Sequence, residues 1–208
     1  LYAAKAARLR QAARSALLSP ATQTAGKTWQ LNALSVLTNL DAAANPTIWS
    51  TVFSKVKQDS PTDQVISPYF NSYLINAMSR TGHPREALLW IHDYWGGMLD
   101  EGATSFWESY DLRWPKTNYH LSLQADGTSG YFVSLAHGWS SGALPWISEN
   151  ILGIRPTSPG YATVDLRPNL LGLTYARGSV ATPHGPIRLS LDTKTLSIYL
   201  PQSIESGA

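Results

Sequence analysis

SPYFNSYLINAMSRTGHPREALLWIHDYWGGMLD, residues 67–100, reads as two helices joined by the short turn Thr81-Gly82-His83. Ser67-Pro68 sets a capping side chain ahead of a first-turn proline, whose missing N–H would have had no partner anyway. The first helix then runs without a breaker to Gly82, and His83-Pro84 opens the second. Leu88, Ile91 and Trp95 fall on one side of that second helix, and Gly96-Gly97 is expected to end it. A joint this short obliges the two helices to run antiparallel. The unit is an αα-hairpin.

Upstream the pattern stays helical. Residues 1–18 are Ala-rich and stop at Ser19-Pro20, and Leu31, Leu34, Leu37 and Leu40 recur at helical spacing before Asn45-Pro46 closes that segment. Ile48, Trp49, Val52, Phe53 and Val56 mark a third helix, entered through Pro46-Thr47. After Gly153 the period becomes two. Ile187, Leu189 and Leu191 alternate with polar residues, Asp192-Thr193-Lys194 turns the chain, and Leu196, Ile198 and Leu200 alternate again, which is a β-hairpin with one buried face. Residues 161–167 and 174–181 supply two more strands, so four in all are expected. The fold class is α+β in two domains: helical hairpins over residues 1–153 and a small antiparallel β-domain over residues 154–208, joined through Arg155-Pro156-Thr157-Ser158-Pro159-Gly160. Four strands leave uncovered edges, so the β-domain is expected to be incomplete or to finish by packing on the helices.

Composition narrows the function. With 43% hydrophobic residues the 208-residue chain can bury a real core, and disorder is excluded. A net charge of +2 and 14% charged residues leave no basic track for a phosphate backbone, so no nucleic acid partner is expected. Lys5, Arg8, Arg10 and Arg14 read as the solvated face of a helix. No apolar run is long enough to suggest a membrane span. The absence of cysteine excludes disulfides, and the histidines at 83, 92, 120, 137 and 184 lack ligand spacing, so neither a metal nor a cofactor is expected. No phosphate-binding glycine loop and no serine nucleophile elbow is present. The compartment stays open. The chain starts within a helical pattern and without methionine, and it is read as a piece of something longer.

Glu108 is the acid that stands out. Phe106, Trp107 and Tyr110 flank it in GATSFWESYD, so it is expected in a partly desolvated, aromatic-walled pocket, surroundings that suit the apolar C–H faces and hydroxyls of a pyranose. SLAHGWSSGALPWISE follows, with His137 and Trp139. Trp29, Trp49 and Trp90 are assigned to helix packing, and Glu149 to a structural helix. Glycoside hydrolysis ordinarily uses two carboxylates, and only one is convincingly placed.

The runs DYWGGMLDEGATSFWESYD, SLAHGWSSGALPWISENILGIRPTSPGYATVDLRP and GSVATPHGPI resemble the C-terminal part of the glycoside hydrolase family 78 α-L-rhamnosidases. The likeness spans essentially the whole chain and is strongest over residues 67–187, with several separated motifs in the right order. It implies the second half of an (α/α)6 barrel of six helical hairpins, followed by a β-sandwich. It also implies that Glu108 is the general base of an inverting hydrolysis of terminal α-L-rhamnosides. His137 and Trp139 would lie near the bound sugar, with Trp107 and Trp95 as walls of the same pocket. The general acid of this family lies in the N-terminal half of the barrel, which these residues do not include. The implied partners are therefore a rhamnose-containing glycoside and either that N-terminal portion or a second copy of this chain, and the isolated chain is expected to be inactive. A non-catalytic sugar-binding or scaffold fragment, and another six-hairpin glycosidase or lyase, are the alternatives.

Overall fold

A computed structural model describes residues 2–55, 67–112 and 134–207. It divides into two compact units, Leu1–Ser141 and Gly142–Ala208. The first holds helices α1 (Tyr2–Leu17), α2 (Trp29–Leu37), α3 (Asn45–Thr51), α4 (Pro68–Arg80) and α5 (Pro84–Asp100). Val56, read as the end of the third helix, lies outside the described residues; α3 gives way at Val52 to a 3-10 turn over Phe53–Lys55.

The hairpin α4–α5 has the expected start signals. Ser67 accepts a hydrogen bond from the Phe70 N–H, and prolines occupy the first turn of both helices. Leu74, Ile75 and Met78 of α4 are buried, as are Ala87, Trp90 and Ile91 of α5. Asn71 is fully buried as well, because its carbonyl oxygen accepts the indole N–H of Trp90 at 2.7 Å. Trp29 meets Trp90 edge-on at 6.4 Å, and Trp49 stacks on His83 at 3.6 Å, so these three tryptophans do pack helices.

One expectation needs correction here. The helix α5 does not stop at Gly96-Gly97 but continues to Asp100. Gly97 is buried, and a Cβ placed there would collide with the Tyr110 ring, so this glycine permits a close approach instead of ending a helix. In α2 the leucine stripe is not the core face. Leu31 and Leu34 are exposed, while Trp29, Asn32, Ala33 and Val36 are buried against α4. Asn32 tolerates burial because it accepts from the Ala25 N–H at 2.9 Å and donates to the Thr28 carbonyl at 2.8 Å. As expected, the basic side chains of α1 stand in solvent, with Arg14 paired to Asp41 at 2.7 Å.

The second unit opens with α6 (Ala143–Asn150), whose Trp146 is buried and whose Glu149 main-chain carbonyl accepts from Arg155. Six strands follow, not four: β1 (Ile154–Pro156), β2 (Thr163–Leu166), β3 (Tyr175–Val180), β4 (Ile187–Asp192), β5 (Leu196–Tyr199) and β6 (Glu205–Gly207). They form two sheets in the orders β1-β2-β6 and β3-β4-β5. The two strands missed from the sequence are each three residues long, too short to show a period of two. The β2–β6 pair is parallel and every other pair antiparallel. Ile154 and Val164 of one sheet and Ile187, Leu189 and Leu191 of the other share a single core with Leu152 and Ile204. In the β4–β5 hairpin only β4 alternates in burial. Leu196 and Ile198 lie opposite Leu191 and Leu189 but are exposed, because β5 is the sheet edge.

Gly153, where the period changes, has a φ of 67°, and a Cβ there would strike the Arg167 main chain. Its carbonyl accepts the Arg167 N–H at 2.9 Å, which anchors the start of β1 to the end of β2. Gly153→Ala is expected to destabilise the chain by about 2 kcal/mol or more, combining left-handed strain with a main-chain clash, measured by urea unfolding. A second expectation concerns acid. Asp192 accepts from the Lys194 N–H, the Thr195 hydroxyl and the Thr195 N–H, which hold its carboxyl below the usual range. Its contribution is complete above the unfolded-state value and disappears as pH falls through the folded-state value. Asp192→Ala should therefore lower Tm at neutral pH and reduce its acid sensitivity, with the two proteins converging at the acid end of a thermal-melting series.

Candidate active site

The site is made by two loop segments lying over the α4–α5 hairpin. Residues 101–112 leave the end of α5, and residues 134–141 approach them from the other side. Two main-chain bonds join the segments: the Glu108 N–H donates to the Ser134 carbonyl at 2.8 Å, and the His137 N–H donates to the Phe106 carbonyl at 2.7 Å. Side chains beneath lock the pair to α5. Tyr94 donates its hydroxyl to the Tyr110 carbonyl at 2.7 Å, and Trp95 donates its indole N–H to the Ser140 carbonyl at 2.8 Å. Ser140, itself fully buried, donates its hydroxyl to the Trp107 carbonyl. Burial pushes the Tyr94 phenol far above the usual range, so this donor stays protonated wherever the protein is folded.

Glu108 emerges from this frame with its side chain 37% exposed. One carboxylate oxygen, Oε2, accepts the Ser134 N–H at 2.9 Å and stands 4.0 Å from His137 Nδ1. That separation is too long for a hydrogen bond yet close enough for imidazole and carboxylate to share a solvent molecule or a ligand hydroxyl. His137 is half-exposed and not part of the core. Its ring lies 4.3 Å from Trp139, whose indole N–H donates to the Glu108 carbonyl at 3.1 Å. Trp139 is 46% exposed, so its ring faces solvent beside the carboxylate.

Thus Glu108, His137 and Trp139 are brought together as the sequence led one to expect. Trp107 and Trp95 are not exposed beside them: both are buried, and they hold the two loops from below instead of offering a ring face. The physical reason is the α5 register, which puts Trp95 and Tyr94 under the loop ends. The sequence reading missed Ser134, Ser140 and Tyr94, which position the site, and Tyr69 of α4, whose ring lies 5.6 Å from Trp139. The serines sit inside the quoted SLAHGWS run and were accessible to that reading. Tyr69 belongs to the preceding hairpin, and no local spacing connects it to the loops. Cavities of about 350 and 210 Å³ lie elsewhere in the same unit, the first lined by Arg14, Gln23 and Asp41, the second by Trp49, Phe53 and Met78.

With this geometry in place, comparison with known proteins is direct. Residues 153–203 match the bacterial alpha-L-rhamnosidase C-terminal domain. An alpha-L-rhamnosidase of Streptomyces avermitilis is 32% identical over 121 residues, covering 55% of this chain and 11% of that protein. One from Alteromonas sp. is 32% identical over 117 residues, covering 54% and 12%. The chain is similar to the C-terminal portion of α-L-rhamnosidases. The matched stretches span only about a tenth of the length of these curated relatives. The fold agrees over nearly the whole chain. The S. avermitilis alpha-L-rhamnosidase structure, complexed with L-rhamnose, superposes with a TM-score of 0.76 at 22% identity over 96% of this chain and 20% of that one. The Aspergillus terreus alpha-L-rhamnosidase gives 0.75 at 19% identity over 96% and 24%. A family 78 rhamnosidase of Bacillus sp. GL1 gives 0.71 at 22% identity over 99% and 23%.

The close approach of Tyr110 to α5 makes a signed prediction. Alanine in place of glycine inside a helix is normally favourable by about 1 kcal/mol. At Gly97 the added methyl meets the Tyr110 ring, so Gly97→Ala should instead destabilise by about 1–3 kcal/mol. Gly96, where a Cβ meets nothing within 4 Å, is the control, and Gly96→Ala should be neutral or stabilising in the same denaturation experiment.

Proposed function

We propose that this chain supplies the general base and part of the sugar pocket for inverting hydrolysis of terminal α-L-rhamnosides. The observation that carries the reading is the Glu108 carboxylate, held by the Ser134 N–H and open to solvent, with His137 and Trp139 beside it. A carboxylate fixed in direction but reachable by water is what deprotonating an attacking water requires. The imidazole offers a donor or acceptor to a sugar hydroxyl, and the indole face offers an apolar surface to the ring's C–H groups. Similarity to curated alpha-L-rhamnosidases supports rhamnose as the sugar, as does the fold shared with the S. avermitilis protein complexed with L-rhamnose.

Inversion also needs a proton donor across the scissile bond, with the two carboxyl groups about 6.5–9.5 Å apart so that a water fits between substrate and base. In this reading the donor belongs to polypeptide outside the 208 residues, which also covers the exposed Leu31 and Leu34 of α2. The chain by itself then binds sugar weakly and does not turn it over.

Hydrolysis of an aryl α-L-rhamnoside tests this directly. The 208-residue chain alone should release nothing above background. In a polypeptide that joins it to the proton donor, Glu108→Gln should lower kcat by about 10²–10⁴, because the ordered amide cannot accept the proton. Proton NMR of the first-formed rhamnose should show the anomer opposite to that of the substrate. Retention of configuration, or an unchanged kcat in Glu108→Gln, would refute the assignment. Sugar affinity without turnover in either polypeptide would favour a binding role.

A further inference from the structure

Tyr69 and Tyr73 stand one turn apart on α4, and Tyr69 meets Trp139 of the second loop. Tyr69 is 41% exposed, and its ring centroid lies 5.6 Å from Trp139 at an interplanar angle of 37°. Its hydroxyl is 2.9 Å from that of Tyr73, whose ring it meets nearly edge-on at 5.4 Å. The same unit buries Trp95, Trp107, Tyr94 and Tyr110, so the exposed Tyr69 ring beside the half-buried Tyr73 is conspicuous. Exposed aromatic surface of this size is worth covering, and a ligand is one way to cover it. Trp139 is also held in place, since its indole N–H is committed to the Glu108 carbonyl and its ring rests against His137. Glu108, His137, Trp139, Tyr69 and Tyr73 therefore form one continuous series.

The direction of that series says what it meets. A base that inverts configuration stands on the face of the sugar opposite the departing oxygen. A wall continuous with the base consequently touches the sugar being released and not the group it leaves. Resting on the assignment of Glu108 as base, we propose that Tyr69 is a further sugar-contacting residue. Its ring extends the Trp139 platform beneath the apolar face of the glycone, and its hydroxyl reads a sugar hydroxyl. Tyr73 is a positioning residue. Two phenols that share one hydrogen bond retain one O–H and free lone pairs, so the pair can both donate to and accept from the sugar.

The test uses the polypeptide that joins this chain to its proton donor. It measures hydrolysis of a nitrophenyl α-L-rhamnoside and of a rhamnosyl disaccharide, together with competitive inhibition by free L-rhamnose. Tyr69→Ala should raise KM for both substrates and the rhamnose inhibition constant by the same factor, about three- to tenfold, the worth of one aromatic contact. The kcat should change by less than about twofold, the signature of lost binding shared by ground and transition states. Tyr69→Phe should give a smaller rise, matched by Tyr73→Phe. An unchanged rhamnose inhibition constant in Tyr69→Ala would overturn the proposal, as would a KM rise confined to one leaving group. If Tyr69→Ala fails to fold, Tyr69→Phe decides alone, and a wild-type inhibition constant there is likewise fatal. A Glu108→Gln protein that keeps its kcat would defeat the base assignment separately, while rhamnose inhibition still reports on Tyr69.

Discussion

Tyr110 lies against the side of a helix that has no side chain at Gly97. The candidate site depends on that contact. Because the ring comes so near the α5 backbone, its main-chain carbonyl falls within reach of the Tyr94 hydroxyl, and the loop that carries Glu108 is tied to a rigid hairpin. The second loop is tied to the same helix through Trp95 and Ser140, and the two loops are tied to each other by main-chain bonds. Groups set on loops must borrow their precision from the scaffold underneath, and here α5 lends it through the two consecutive buried aromatics Tyr94 and Trp95.

The division between buried and exposed aromatics follows from this arrangement. Rings with a hydrogen-bonding edge that finds a carbonyl beneath the loops, those of Tyr94 and Trp95, are buried and structural. Trp139 and Tyr69, whose polar edges are satisfied from the side, keep their faces in solvent. Aromatic residues close together in sequence thus take opposite roles. What separates them is the direction each Cα–Cβ bond points from the backbone that carries it.

The second unit shows a different economy. Its strands are three to six residues long, and a three-residue strand cannot fold alone. Stability comes from the shared core, where Ile154, Val164, Ile187 and Leu189 are almost completely buried. Gly153 takes a left-handed φ of 67° between α6 and β1, and Arg155 returns to the helix by donating to the Glu149 carbonyl and the Asn150 side chain.

Much of this was legible beforehand, for reasons that can be named. Caps and first-turn prolines announced α4 and α5, since a cap satisfies orphan N–H groups within three or four residues. The alternation in β4 and the Asp192 turn were equally local. Glu108 stood out by its aromatic neighbours along the chain, and His137 entered through the resemblance to the rhamnosidases. The errors arose where distance along the chain is large. The sequence alone could not say that Gly96-Gly97 lies inside a helix, because only Tyr110 explains the second glycine. Nor could it choose between the leucine stripe of α2 and the face bearing Asn32, since both fit a period of 3.6 and only contact with α4 selects one. The order of short-range elements and the chemical character of the site were therefore set by residue type and spacing. Which rings face solvent, and which edge of Glu108 is held, were set by packing, because burial is decided by neighbours that the chain supplies from elsewhere.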